Sequence, residues 1–66
     1  MNTVARVKEL AAERSMSLFR LSKLCDVPYS TIKNTELRCG QLGVDTIERI
    51  CMGLGIPLAH FFEEGG

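Results

Sequence analysis

Three cysteines and one histidine are the side chains best suited to metal or redox chemistry in this 66-residue chain. Cys25, Cys39 and Cys51 form no Cys-x-x-Cys pair, and the distances in sequence among them and to His60 match no usual zinc motif. The pattern predicts free, buried or partly buried thiols rather than disulfides or a metal centre. We therefore expect no cofactor, and free thiols favour a reducing cytoplasm.

The chain shows no pattern typical of an enzyme active site. It has no phosphate-binding glycine loop and no paired carboxylates, and no nucleophile lies close to His60 in the sequence. A domain of this size buries only about 60% of its unfolded surface, which leaves few residues to line a substrate pocket. The sequence therefore predicts a binding module, without enzymatic activity and without a small-molecule ligand.

The charged residues are balanced in number but unevenly distributed. Eight basic and eight acidic residues give a formal net charge of +0, whereas nucleic-acid-binding domains often have a pI above about 9. The cations are concentrated in residues 20–41, and the part after residue 42 is acidic. No apolar run reaches the roughly 20 residues of a membrane span, so we expect no membrane partner. Met1 and the short glycine tail favour a complete chain with a frayed end at Gly65 and Gly66.

Apolar spacing and helix-breaking residues divide the chain into five segments, each of which is predicted to be a helix. The segments are residues 2–14, 17–25, 28–37, 44–54 and 57–63. No segment alternates with a period of two, so the predicted fold class is all-α, a compact five-helix domain over residues 1–66. Asn2 or Thr3 is suited to cap the first helix, Ser17 the second, and either Gly43 or an Asp45–Glu48 pair the fourth.

The apolar faces of these helices are expected to form the core. Their members are Val4, Val7, Leu10, Ala11, Leu18, Leu21, Leu24, Cys25, Ile32, Val44, Ile47, Ile50, Cys51, Leu54, Leu58, Phe61 and Phe62. Gly53 lies inside the fourth helix, where glycine costs about 1 kcal/mol relative to alanine. A close contact with another helix would explain its presence, and Gly55 is expected to end that helix in a left-handed conformation.

The predicted third helix is unusually polar. Ile32 is its one strong apolar anchor, and its outward positions carry hydrogen-bonding groups: Tyr29, Ser30, Lys33 and Asn34. A tight turn precedes it at Asp26, a residue type that tolerates left-handed backbone geometry. Such a helix is either an ordinary solvated surface or a surface that is presented to a partner.

A set of spaced residues between Val7 and Phe62 agrees with a known arrangement. These residues are Leu21-Ser22, Val27, Ser30-Thr31-Ile32, Glu36, Thr46-Ile47, Ile50-Cys51 and Leu54-Gly55-Ile56. The pattern resembles the phage repressor/Cro-type (XRE-type) helix-turn-helix family. The resemblance implies a lambda-repressor-like domain in which the second and third helices form the helix-turn-helix, and a prokaryotic transcription regulator that binds double-stranded DNA.

The chain departs from this family at several positions. Asp26 stands where glycine is frequent in the turn, and Leu18 stands where a phosphate-binding glutamine is frequent. Ala11 replaces an arginine that pairs with the glutamate at the position of Glu36, and Arg38 replaces a glycine. Residues considered as substitute partners for this glutamate are Arg14, Lys33 and Arg38.

The resemblance also implies roles for individual residues, because the third helix of such a fold enters the major groove and the second lies across the backbone. The implied base contacts are Pro28, Tyr29, Ser30, Lys33 and Asn34. The implied phosphate contacts are Ser17, Arg20, Lys23, Arg38 and Gln41. Asparagine can bond adenine through two hydrogen bonds, and lysine can bond guanine.

Two further questions concern partners. A repressor-type domain usually acts as a two-fold dimer on a palindromic site, and the expected homodimer interface is Leu58, His60, Phe61 and Phe62; alternatively, both phenylalanines close the core. A different function on the same fold is a protein-interaction module, antitoxin-like or deficient in DNA binding. Scattered cations, or cations neutralised by Glu36 and Asp26, would favour that module.

Overall fold

Residues 1–63 are described by a computed structural model, and within them the chain forms five helices and no strand. In chain order the helices are α1 (Thr3–Glu13), α2 (Leu18–Leu24), α3 (Tyr29–Leu37), α4 (Val44–Leu54) and α5 (Leu58–Phe61). The predicted all-α class with five helices is confirmed. Helix α4 has the predicted bounds, and the other four helices are slightly shorter because capping residues flank them. The predicted frayed end at Gly65 and Gly66 lies outside the described residues.

Polar side chains cap the first two helices as their sequences predict. The Asn2 Oδ1 accepts a hydrogen bond from the Ala5 amide at 3.1 Å, and the Ser17 Oγ accepts one from the Arg20 amide at 3.1 Å. Each bond satisfies an amide that has no partner within its own helix. At α4 the N-cap is Gly43, and Asp45 lies in the first turn, where a carboxylate favours the helix dipole.

All four connections between helices have the same backbone conformation. Each contains one residue with positive φ, and these residues are Ser15, Asp26, Cys39 and Gly55, with φ of 54°, 56°, 54° and 69°. The amide that follows each of them bonds back five residues, as in Val27 to the Ser22 carbonyl at 2.9 Å and Ile56 to the Cys51 carbonyl at 3.0 Å. This is the Schellman arrangement, which satisfies carbonyls at helix ends. The predicted left-handed turn at Asp26 and helix end at Gly55 are confirmed.

The core lies among α1, α2, α4 and the inner side of α3, with α5 closing one end. Its buried apolar members are Val4, Val7, Leu10, Ala11, Leu21, Cys25, Val27, Ile32, Leu42, Ile47, Ile50, Cys51 and Phe61. The prediction was wrong for four residues, Leu24, Val44, Leu58 and Phe62, which are 54%, 61%, 41% and 47% exposed. All four lie at or next to a helix end, where helical spacing does not show whether a neighbouring element extends far enough to cover them.

Two contacts hold together helices that are distant in the sequence. Arg6 is buried, and its Nε and Nη2 donate to the carbonyl oxygens of Phe61 at 2.7 Å and His60 at 2.9 Å, which joins α5 to α1. At Gly53, a Cβ atom would lie 2.5 Å from the Sγ and 2.8 Å from the Cα of Cys25. The predicted close helix contact at Gly53 is therefore confirmed, since α2 and α4 meet there without room for a side chain.

The cysteines are all free thiols in different environments. Cys25 and Cys51 are buried, and burial raises the pKa of both thiols, so they are protonated at neutral pH. Cys39 is exposed, which corrects the prediction that all three would be at least partly buried. Residues 1–63 contain no group of three or more metal-ligating side chains, and no helix among them is long and apolar enough to cross a bilayer.

Candidate nucleic-acid interface

Helix α3 is held against the domain along one side only. Ile32 is fully buried and Thr35 is nearly so, and the Thr35 Oγ1 also donates to the Thr31 carbonyl at 2.7 Å. Pro28 occupies the N-cap position, where its missing amide hydrogen costs nothing. These contacts fix the orientation of α3, and its outer surface is left to solvent.

The candidate base-contact residues lie on this outer surface. Pro28, Tyr29, Ser30 and Asn34 are exposed, whereas Lys33 is half-buried. Ser30 and Asn34 are four residues apart, so their side chains are neighbours on the helix. The structure thus places a hydroxyl, an amide and an ammonium group within the first two turns of α3.

Lys33 is not a free cation, because it forms an ion pair with Glu36. The Lys33 Nζ donates to the Glu36 Oε1 at 3.0 Å, and the Glu36 Oε2 accepts from Lys8 on α1. Hydrogen bonds from Lys8 and then Lys33 lower the pKa of Glu36, and the Glu36 bond raises the pKa of Lys33. Both groups of the pair are therefore charged at neutral pH.

The partners of Glu36 in the structure are Lys33 and Lys8. Lys33 was among the residues considered, but Lys8 was missed. Lys8 precedes Ala11 by three residues, so the two positions share one face of α1. A search for a cation one turn before Ala11 would have found it.

An aromatic contact joins the starts of α2 and α3. The Phe19 and Tyr29 rings meet edge to face, with centroids 5.3 Å apart and planes at 76°. The Lys23 Nζ lies 5.0 Å from the centroid of the Phe19 ring, within the range of a cation–π contact. Phe19 was not predicted as a site residue, although a phenylalanine outside the apolar stripe of its helix is a signal.

An open groove of about 510 Å³ runs beside this contact. Its lining includes Phe19, Lys23, Asp26, Pro28, Tyr29 and Arg49. The Arg49 Nη1 lies 3.5 Å from the carbonyl oxygen of Asp26, which brings α4 up to the turn between α2 and α3. Two cations and one carboxylate thus line the same groove as the two aromatic rings.

The candidate phosphate-contact residues divide into two groups. Ser17, Arg20 and Lys23 lie along α2 and Arg38 lies at the C-cap of α3, all of them exposed. Gln41 is different: its Oε1 accepts from the Thr3 amide at 2.9 Å and hydroxyl at 2.8 Å, and its Nε2 donates to the Met1 carbonyl. The Gln41 amide therefore anchors the start of α1, and its assignment as a phosphate contact stays a prediction.

The candidate dimer residues also divide. Leu58 and Phe62 are 41% and 47% exposed, and the His60 Nδ1 lies 2.7 Å from a carboxylate oxygen of Glu63. Phe61 is fully buried, so its side chain belongs to the core and not to a surface. This corrects the predicted interface, which keeps Leu58, His60 and Phe62 as surface residues.

Comparison with known proteins adds no family, since neither a family model nor a curated protein nor a solved structure matches the chain. The functional interpretation therefore depends on the surface formed by α2 and α3. On that surface an anchored polar helix, the Lys23 ammonium group and an aromatic pair lie close to one another. This combination of hydrogen-bonding groups and positive charge is chemically suited to a nucleic acid, which offers negatively charged phosphates and hydrogen-bonding base edges.

Proposed function

We propose that this protein is a sequence-specific DNA-binding regulator of transcription that places α3 in the major groove. The observation that carries the proposal is α3 itself, which is anchored through Ile32 and Thr35 while Ser30 and Asn34 remain exposed. A helix with side chains is about 10–12 Å in diameter and the major groove is about 12 Å wide, so such a helix fits it. Asn34 would bond adenine, and Ser30 would bond a neighbouring base edge.

The proposal includes a lambda-repressor-like helix-turn-helix formed by α2 and α3. Support comes from the turn at Asp26, whose left-handed backbone and Val27–Ser22 hydrogen bond join two helices that pack on each other. In this arrangement α2 lies across the DNA backbone. Ser17, Arg20, Lys23 and Arg38 would then contact phosphates, and such contacts fix the register without reading sequence.

Lys33 would contact DNA after its ammonium group exchanges the Glu36 carboxylate for an acceptor on the DNA. The Lys33–Glu36 pair is at the protein surface, where ion pairs are weak and are screened by salt. A guanine edge or a phosphate can replace the carboxylate as the acceptor for the ammonium group. Glu36 remains paired with Lys8 when Lys33 leaves.

A homodimer completes the proposed function. Leu58, His60 and Phe62 would form the contact at the α5 end of each protomer, where two large apolar side chains are exposed. Two-fold symmetry would place two copies of α3 in half-sites about one helical turn apart, which predicts a palindromic operator. We propose that the dimer acts in a prokaryotic cytoplasm.

A protein-interaction module on the same fold is the second candidate, and one observation favours it. Lys33 is neutralised by Glu36, and the chain has a formal net charge of +0, so long-range attraction to DNA is weak. An antitoxin-like module would keep the fold and bind a protein partner instead. Such a module would show only weak, salt-sensitive retention of duplex DNA.

Selection from a randomised duplex pool, followed by sequencing, distinguishes the two candidates. At moderate salt the wild-type protein is expected to enrich a palindromic motif, and a Lys33→Ala/Asn34→Ala variant is expected to lose it. A good two-bond contact contributes roughly tenfold or more to base discrimination, so loss of such contacts removes most of the enrichment. Arg14→Ala is the control, since it removes a cation from the end of α1 without touching α3. Absence of any enriched motif would instead support the interaction module.

A further inference from the structure

Phe19, Pro28 and Tyr29 form a small exposed surface, here named the aromatic patch. Phe19 is 50% exposed and Tyr29 is 36% exposed, although both are large and apolar. Their rings are in edge-to-face contact, and Pro28 lies beside them on the lining of the same groove. Isolated exposed apolar residues are ordinary, but these three side chains lie together where α3 begins.

The charges around the aromatic patch identify the kind of surface it meets. Lys23 lies over the Phe19 ring and Arg49 also lines the groove, while Asp26 supplies one carboxylate. Two cations against one carboxylate leave the groove positive. An apolar patch edged by cations is complementary to apolar groups carried next to phosphates, which is the chemistry of a duplex DNA groove.

The major groove offers one apolar group to such a patch. That group is the C5-methyl of thymine, since the other base-edge groups there are hydrogen-bond donors or acceptors. Residues at the N-terminal end of a recognition helix are the ones that reach base edges, and Tyr29 is the first residue of α3. Ser30 and Asn34 have hydrogen-bonding roles, whereas the Phe19 ring has no polar group.

We propose that the aromatic patch reads a thymine methyl group in each half-site, with Lys23 on a phosphate nearby. This inference rests on the proposed DNA-binding function and adds a specificity to it. The Phe19 ring covers the methyl group, and the edge-to-face contact with Tyr29 holds that ring in place. The operator therefore contains an A·T pair opposite the start of α3.

Replacing thymine with deoxyuridine tests the proposal, because this change removes the methyl group and keeps every hydrogen-bonding group of the base. The measurement takes the selected duplex and exchanges its thymines one position at a time. At one thymine in each half-site the affinity of the wild-type protein is expected to fall about fourfold, which corresponds to one buried methylene. At the other thymines the affinity is expected to stay unchanged.

Three variants locate the effect on the protein. Phe19→Ala is expected to weaken binding and to remove the difference between thymine and uracil at that position. Tyr29→Phe keeps both rings, so it is expected to retain the ratio of thymine to uracil affinity even if the absolute affinity falls. Met52→Ala is the control, because Met52 is 82% exposed on α4 and does not line the groove.

The outcomes separate this inference from the proposed function. A selected motif whose thymines all tolerate uracil, or an unchanged thymine preference in Phe19→Ala, would overturn the inference and leave DNA binding intact. Failure to select any motif would overturn the proposed function and the inference with it. A fourfold loss at one thymine that disappears in Phe19→Ala would establish the contact.

Discussion

Replacing Phe61 with alanine is expected to lower the free energy of unfolding by about 3–5 kcal/mol, the usual cost of deleting a buried aromatic ring. Phe61 is fully buried where α5 closes the core, and its loss would leave a cavity beneath α5. Proteins are stable by roughly 0.05–0.15 kcal/mol per residue, so for a chain of this length the loss is a large fraction of the total stability. Urea unfolding followed by circular dichroism measures the change directly.

Phe62 provides the matched control for Phe61. The two residues are adjacent and identical in type, but the Phe62 side chain is 47% exposed. Phe62→Ala is expected to cost less than about 1 kcal/mol when the protein is dilute enough to be monomeric. In the proposed dimer the same variant weakens self-association, which sedimentation detects. Equal losses of monomer stability at both positions would contradict the placement of Phe61 in the core.

Replacing Gly53 with alanine is expected to destabilise the protein by about 1–3 kcal/mol through overpacking. The sign is informative because alanine in a helix is normally favoured over glycine by about 1 kcal/mol. Here the added Cβ would lie 2.8 Å from the Cα of Cys25, a backbone atom that cannot rotate away. Relief requires α2 and α4 to move apart, which disturbs the packing between these two helices.

Gly40 is the control for the Gly53 change. A Cβ at Gly40 would meet its nearest atoms at 3.8 and 3.9 Å, which is ordinary van der Waals contact. Gly40→Ala is therefore expected to change the free energy of unfolding by no more than about 0.5 kcal/mol. Thermal melts of the two variants beside the wild type suffice, and a Gly53→Ala protein as stable as the wild type would refute the close approach of α2 and α4.

Features set by local pattern were predictable from the sequence. The predicted apolar face of α1 recurs at helical spacing and is buried at Val4, Val7, Leu10 and Ala11, and Ile32 is the one strong anchor predicted for α3. The left-handed turn at Asp26 follows from the few residue types that tolerate positive φ. The close contact at Gly53 follows from the cost of glycine in a helix, which needs a packing reason.

Features set by contacts between distant residues were not predictable. Gln41 looked like a free amide, but it bonds Thr3, which is 38 residues away in the sequence. The choice between Phe61 and Phe62 as the core residue depends on how α5 packs, and in the structure the Phe61 ring is the buried one. The exposed ring of Phe19 gains significance only when the fold brings Tyr29 against it.

Amide chemical-shift mapping of the labelled protein with its selected duplex tests the role of α3 most directly. We expect the largest changes at the amides of residues 29–34 and at the side-chain amide of Asn34. The outer side of α1, which includes the exposed residues Ala5, Glu9 and Ala12, is expected to stay unchanged. Changes concentrated on α1 or α5, with α3 unaffected, would contradict the proposal that α3 reads DNA.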